Sequence, residues 1–306
     1  MIKINYERIK QNLCKIDKNN YLVLKSDAYG FGLERIFTLA WDLGFRKYAV
    51  IRLEDAIFIK KHSKEARVLL MGVFNPKKIF LYQRYRIEIT INDYNECFLV
   101  GKLPLVVQIA VNTGMNRFGV RLNDFQKVYE SLKNSRVNIS GIYTHLGQDS
   151  ALQLAGFNHI TQNLSLEKHY AATKHLPSEN ARIGAGIYEN ALTVYGKIIK
   201  INYVYKNEYI GYGTNYQMQA DGYIGVIDLG YADGLIRKCA GFKVYINGNF
   251  YPLVAMACMN HSFVLLPNES FLGLKVEFVG ENNIIMNYAK HFDVIIHQIY
   301  TAFLKK

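Results

Sequence analysis

The chain has 306 residues, of which 50% are hydrophobic and 20% are charged, and this composition is typical of globular proteins with a substantial core. No stretch approaches the roughly 20 apolar residues of a membrane span, and the first residues lack a secretory signal pattern. The net charge is +12, but the lysines are scattered and form no nucleic-acid-binding motif. The cysteines at positions 14, 97, 239 and 258 have neither metal-ligand nor disulfide spacing, so we expect no metal site and a reduced, cytoplasmic setting.

Short β-branched runs alternate with amphipathic stretches over the first two thirds of the chain. The predicted strands are Tyr21–Lys25, Lys47–Arg52, Arg67–Met71, Ile87–Ile91, Leu105–Val111 and Val137–His145. The clearest predicted helices are Leu33–Asp42, Leu53–Lys61 and Asp124–Lys133. This alternation is typical of βαβ units, and its length favours a closed (β/α)8-type barrel over an open sheet.

The pattern changes near Val194, where short strands begin to follow one another with turns between them. Asn247-Gly248, inside the run KVYINGNFYPLV, is a hairpin signal. We therefore predict an α/β barrel over residues 1–195 and a smaller, mainly β domain over residues 196–306.

Lys25 ends the first apolar strand and precedes a glycine-containing turn. The carboxyl ends of barrel strands form the active face of such barrels. A lysine at the edge of an apolar strand loses its proton more easily than a solvated one, as a bond to an aldehyde requires. Most lysines before a turn are surface residues, so this position alone is a weak signal.

The string LKSDAYGFG, which contains Lys25, resembles the pyridoxal phosphate attachment motif of the alanine racemase family. Six further segments resemble family motifs in the same order: VNTGMNRFG with Arg117, YTH with His145, RIGAGIY with Arg182, IGYG with Tyr212, GYADGLIR with Tyr231 and ACMN with Met259. The resemblance covers nearly the whole chain.

The resemblance implies that pyridoxal phosphate (PLP) is bound covalently to Lys25. It assigns Arg182 to the pyridine nitrogen and places Tyr29, with the amides of Gly184 and Ala185, on the phosphate side. Thr173 is a further, weakly matched candidate for the phosphate side.

Racemisation needs acid–base groups on both faces of the substrate carbon, since a proton leaves one face and returns to the other. The resemblance implies that these groups are Lys25 and Tyr212 of the partner subunit, in a head-to-tail homodimer with shared active sites. His145 and Arg182 are implied to form a hydrogen-bonded network with that tyrosine.

The implied substrate is a small amino acid, with L-alanine and D-alanine as the default pair. Arg117 and the backbone of Met259 are implied to bind its carboxylate, and Tyr231 to narrow its entrance. A racemase for serine or another small amino acid stays an alternative, as does a PLP-binding family member with little racemase activity. A PLP-dependent decarboxylase is disfavoured because it would not need Tyr212.

Three positions depart from the family pattern. Ala110 stands where many members carry a carbamylated lysine, and Asn112 and Asn260 replace two aspartates. Negative or potentially negative groups are therefore missing around Arg117, which should raise the local positive potential.

Overall fold

The computed structural model describes residues 1–147, 150–171 and 181–305. The chain divides into two compact units. The barrel unit consists of Leu13–Ala28 and Gly32–Gly186, and the β unit consists of Met1–Asn12, Tyr29–Phe31 and Ile187–Lys306. The boundary near residue 195 stays a prediction.

The strands are numbered along the chain. They are β1 (Ile2–Ile4), β2 (Tyr21–Val23), β3 (Lys47–Val50), β4 (Arg67–Leu70), β5 (Glu88–Ile91), β6 (Val106–Asn112), β7 (Val120–Arg121), β8 (Asn138–His145), β9 (Glu167–Ala171), β10 (Ala181–Ile183), β11 (Leu192–Val204), β12 (Gly222–Ile227), β13 (Lys243–Ile246), β14 (Asn249–Val254), β15 (Ser262–Leu266) and β16 (Lys275–Val279).

The helices lie between the strands of the barrel and at the end of the chain. They cover Tyr6–Cys14, Leu33–Asp42, Leu53–His62, Ile79–Tyr85, Tyr94–Val100, Phe125–Lys133, Ser150–Thr161, Ile285–Phe292 and Ile296–Phe303. Across the described residues, none of the helices is both long and apolar enough to cross a bilayer.

Eight parallel strands close the barrel, in the order β5-β4-β3-β2-β10-β9-β8-β6, and β6 pairs back onto β5. This closure confirms the predicted (β/α)8-type barrel. The helix Phe125–Lys133 illustrates the amphipathic pattern from which the helices were predicted. It buries Phe125, Val128 and Leu132 at the spacing of one helical face.

The predicted strands and helices of the barrel all occur within two residues of their expected ends. Strands β9 and β10 were not predicted. β10 has only three residues, and β9 has the sequence EKHYA, which contains no β-branched residue.

The β unit has an antiparallel sheet in the order β1-β11-β12-β15-β14-β13-β16, and β16 also pairs with β11. The predicted hairpin joins β13 to β14, with Ile246 opposite Asn249. Asn247 and Gly248 have φ angles of 43° and 92°, as the left-handed positions of a two-residue turn require. The mainly β second domain is thereby confirmed.

Gly234 should be indispensable to the β unit. Its φ is 104°, and an added Cβ would lie 2.6 Å from the Ala302 carbonyl oxygen. Gly248 has a similar φ of 92° but nothing within 4 Å of its added Cβ. We expect Gly248→Ala to lower the free energy of unfolding by about 1 kcal/mol through strain alone, and Gly234→Ala to lower it by more than about 3 kcal/mol.

Urea denaturation of both variants, followed by circular dichroism, measures the difference. Equal denaturation midpoints would contradict the contribution of the close approach to Ala302.

Candidate active site

A strained left-handed run follows Lys25. Ser26, Asp27, Ala28 and Tyr29 all have φ between 53° and 61°, a conformation that costs an L-residue roughly 1–2 kcal/mol. Asp27 holds the run in place, because its Oδ1 accepts a hydrogen bond from the Leu33 amide at 2.7 Å. Strain of this kind is concentrated at functional sites, so it independently marks the segment after Lys25.

Three cationic side chains interact around the mouth of the barrel. Burial, then the charges of Arg117 and Arg182, lower the pKa of Lys25. Burial, with a further contribution from Arg117, lowers the pKa of Arg182 to about 10, so its guanidinium stays charged at neutral pH. The barrel therefore offers a readily deprotonated amine beside two fixed cations.

His145 ends β8 and belongs to the same group. Burial, followed by the charges of Arg182, Arg117 and Lys25, lowers its pKa to about 4. The imidazole is consequently neutral at physiological pH and can accept or donate a hydrogen bond without adding charge.

Several of these residues line one cavity, which measures about 450 Å³ together with the solvent space at its opening. Its lining residues are Met71, Ala110, Val111, Asn112, Met115, Arg117, Phe118, Tyr143, His145 and Arg182. Two arginines and no carboxylate are among them, so the cavity suits an anionic ligand.

Asn112 organises the loop that leads to Arg117. Its Oδ1 accepts hydrogen bonds from the Gly114 and Asn116 amides, both at 3.0 Å. Its Nδ2 donates to the Asn116 side-chain oxygen at 3.0 Å. An aspartate could make the first two bonds but not the third, so the asparagine keeps the turn and removes a charge.

Arg182 is almost fully buried and held on three sides. Its Nη2 donates to the Thr144 carbonyl at 2.9 Å, and its Nη1 meets Nδ1 of His169 at 3.0 Å. Its guanidinium lies over the Tyr143 ring, 4.4 Å from the ring centroid. His169 was missed by sequence reasoning, since it lies outside all seven matched segments.

Three of the four predicted phosphate-side residues lie in the described part of the chain. Gly184 and Ala185 follow β10, and Ala185 opens the 3-10 turn Ala185–Tyr188, where amide groups lack partners within the turn. Tyr29 belongs to the β unit, and burial raises its pKa to about 12. Thr173 lies outside the described residues.

Tyr29 also has a neighbour that the sequence did not indicate. The ring of His297 lies 5.4 Å from that of Tyr29, between centroids. His297 follows the first residue of the helix Ile296–Phe303 and lies outside all seven matched segments.

Tyr212 lies at the tip of a loop of the β unit. The loop is closed by a hydrogen bond from the Ile210 amide to the Tyr216 carbonyl at 3.0 Å. Gly211 and Gly213 flank the tyrosine with φ of 75° and 71°, angles that glycine adopts without strain. The Tyr212 side chain is 73% exposed in the single chain, so the loop presents a phenol outward.

Tyr231 and Met259 are brought together on the β unit. The Tyr231 amide donates to the Cys258 carbonyl at 3.1 Å, and the Ala232 amide donates to the Met259 carbonyl at 2.9 Å. A Cβ on Gly230 would lie 2.3 Å from the Met259 oxygen, so only glycine allows this approach. Two segments matched separately by sequence thus form one structural feature.

Comparison with known proteins covers the whole chain. The sequence model described as "Alanine racemase, N-terminal domain" matches residues 1–188, and "Alanine racemase, C-terminal domain" matches residues 191–306. An alanine racemase of Listeria monocytogenes is 26% identical, with 96% of this chain and 91% of the relative covered.

Solved structures share the fold. An alanine racemase from E. faecalis has a TM-score of 0.85 at 24% identity, covering 99% of this chain and 95% of its own. A histidine racemase from Leuconostoc mesenteroides has a TM-score of 0.79 at 20% identity, with the same coverage. Because the two domain models together span residues 1–188 and 191–306, the chain belongs to the alanine racemase family.

Proposed function

We propose that this protein is a PLP-dependent amino-acid racemase, with L-alanine and D-alanine as its substrates. The observation that carries the proposal is the Lys25 amine, whose pKa is lowered by burial and by Arg117 and Arg182. Membership of the alanine racemase family supports it.

The chemistry of the donor set fits PLP. An aldehyde requires a neutral amine, which Lys25 supplies readily, and a phosphate requires amide donors, which a turn start at Ala185 offers. When bound, PLP draws electrons from the substrate Cα and so weakens its Cα–H bond. Arg182 would be the neighbour of the ring nitrogen.

The side chains of this protein then have separate tasks. Lys25 holds and moves a proton at its Nζ on one face of the substrate. Arg182 remains a donor because its guanidinium keeps its protons. His145 stays neutral, so it can hydrogen-bond to a phenol without repelling the nearby cations.

The second proton carrier would be Tyr212 of the partner subunit. The exposure of Tyr212 in the single chain supports this, because a catalytic phenol must be covered to work in a low-dielectric site. We therefore propose a head-to-tail homodimer in which each active site takes its tyrosine from the other subunit.

The substrate carboxylate is assigned to Arg117 and the backbone of Met259, with Tyr231 at the entrance. A histidine racemase shares the fold, so the fold does not select the side chain of the substrate.

The experiment that tests the proposed activity is deuterium wash-in at Cα from D2O over a panel containing alanine, serine and histidine. A racemase exchanges and inverts its substrate, and no exchange with any amino acid would refute the proposed activity.

Lys25→Ala should abolish covalent capture of PLP. The wild-type protein should turn yellow with PLP and carry the cofactor on Lys25 after hydride reduction, as peptide mass spectrometry detects. Lys168→Ala, which changes another lysine of the barrel unit, serves as the control and should leave the capture intact. Labelling elsewhere than Lys25 in the wild type would contradict the assignment.

Arg117→Gln should move the pH dependence of PLP capture upward. Capture needs the neutral amine, so its rate rises with pH through the pKa of Lys25. The positive charge of Arg117 helps to lower that pKa, and its removal should raise the pKa and the midpoint of the rate profile. Arg121→Gln, four residues along, is the matched control and should leave the midpoint where it is.

Tyr212→Phe should keep the yellow colour but slow proton exchange on one face of the substrate, by about 100-fold or more. The exchange rate should therefore fall by different factors for the two enantiomers when Cα exchange is measured separately for each. Tyr209→Phe, another exposed tyrosine nearby, should behave as the wild type.

Mixed dimers sharpen the same test. Lys25→Ala and Tyr212→Phe proteins, when mixed, should regain activity because one of the two shared sites is then intact. Absence of recovery, or full activity in a stable monomer, would contradict the shared site.

A further inference from the structure

One hydrogen-bonded network runs through the interior of the barrel. Every strand of the closed barrel contributes a side chain to it: Tyr21 on β2, Lys47 on β3, Arg67 on β4, Glu88 on β5, Gln108 on β6, Ser140 on β8, Glu167 and His169 on β9, and Arg182 on β10. The interior of such barrels is ordinarily filled by apolar layers, so this polar column requires an explanation.

The column begins in a charge-balanced cluster at the amino ends of the strands. Arg67 donates to both oxygens of Glu88, at 2.8 and 3.3 Å, and to Glu167 at 2.9 Å. Lys47 also pairs with Glu167. Two cations thus face two carboxylates, and no charge of the cluster is left to balance Arg182.

Gln108 links this cluster to His169, and its amide group can be oriented in only one way. Its Nε2 donates to the Glu88 carboxylate and to the Tyr21 hydroxyl at 2.9 Å. Because a carboxylate accepts only, the amide nitrogen must face Glu88, and its Oε1 must face His169. That oxygen lies 2.6 Å from Nε2 of His169.

The polarity of Gln108 determines which nitrogen of His169 carries the proton. An amide oxygen requires a donor, so Nε2 is protonated, and Nδ1 keeps the lone pair that accepts from Arg182 Nη1 at 3.0 Å. Gln108 and Arg182 therefore both fit the same neutral tautomer of the ring, with the proton on Nε2. Burial, then the charges of Arg182, Lys47 and Arg67, hold the pKa of His169 well below its usual value.

We propose that His169 is a positioning residue, fixed by Gln108 as the Nε2–H tautomer, that orients the Arg182 guanidinium while leaving its positive charge uncompensated. Two rings hold His169 itself. It stacks on Tyr143 at 5.2 Å and 16° and lies 4.5 Å from the Tyr21 ring, between centroids.

A carboxylate in the position of His169 would anchor Arg182 as firmly but would neutralise it. The neutral imidazole keeps the guanidinium available as a cation, and this charge is one of the causes of the lowered pKa of Lys25. The inference rests on the proposed function, because it assigns the orientation of Arg182 to PLP binding.

The tautomer is measured directly on cofactor-free protein. The eight histidines are labelled with 15N, and solid-state NMR distinguishes bare from protonated ring nitrogens. The resonances that vanish in His169→Gln identify His169. We expect a neutral Nε2–H ring throughout pH 6–8, and an Nδ1–H ring or a protonated ring in this range would overturn the inference.

Two substitutions separate hydrogen bonding from packing. His169→Gln keeps an acceptor for Arg182 and a donor for Gln108 but loses the ring stacking. His169→Phe keeps the ring between Tyr21 and Tyr143 and loses both hydrogen bonds.

The dissociation constant of PLP, from absorbance titration, should rise at least about ten-fold in His169→Phe and stay within about three-fold of the wild type in His169→Gln. Weakening by the same factor in both, or more in His169→Gln, would indicate a packing role and overturn the inference. If His169→Phe does not fold, the tautomer measurement on the wild type decides alone.

The two hypotheses fail differently. A wild-type protein that takes up no PLP refutes the proposed function. Normal PLP uptake together with the wrong tautomer refutes only the positioning role of His169.

Discussion

The buried, uncompensated charge of Arg182 is the constraint on which the candidate site depends. A guanidinium removed from water loses hydration that its new partners must replace. Here those partners are the Thr144 carbonyl, the His169 nitrogen and the Tyr143 ring, all without net charge. Its charge therefore helps to lower the pKa values of Lys25 and His145 and favours an anionic ligand in the cavity that Arg182 lines.

Two of the departures from the family pattern lie beside the charge of Arg182. Ala110 and Asn112 line the cavity with Arg117 and Arg182, and neither contributes a negative group. Asn112 still builds its turn through three hydrogen bonds, so the loss of a carboxylate there costs no loop geometry. Because neither residue carries a charge, neither offsets the charges of Arg117 and Arg182, which help to lower the pKa of Lys25.

Local patterns predicted the barrel well, because helices such as Phe125–Lys133 bury one face at a regular spacing and strands such as β6 are short, mostly apolar runs buried along their length. The matched segments also predicted roles for Arg182, Tyr231 and Met259, since each lies beside glycines or in a distinctive string, and these roles stay predictions. His169 and Gln108 could not be found in this way. They lie 61 residues apart and meet only across the closed barrel, and neither carries a local signal. The left-handed run after Lys25 was equally hidden, because Ser26, Asp27 and Ala28 have no preference that outweighs its strain.

The strained run and the polar column each restrict one of two interacting groups, Lys25 and Arg182. The run Ser26–Tyr29 restricts the backbone that follows the lysine, while Arg182 is restricted by a ring whose tautomer is set from the opposite end of the barrel. A lysine with a mobile backbone, or an arginine with several rotamers, would average the electrostatic coupling between them. The two restrictions together limit how far the amine and the cation can move apart, and a charge lowers a neighbouring pKa only while it stays close.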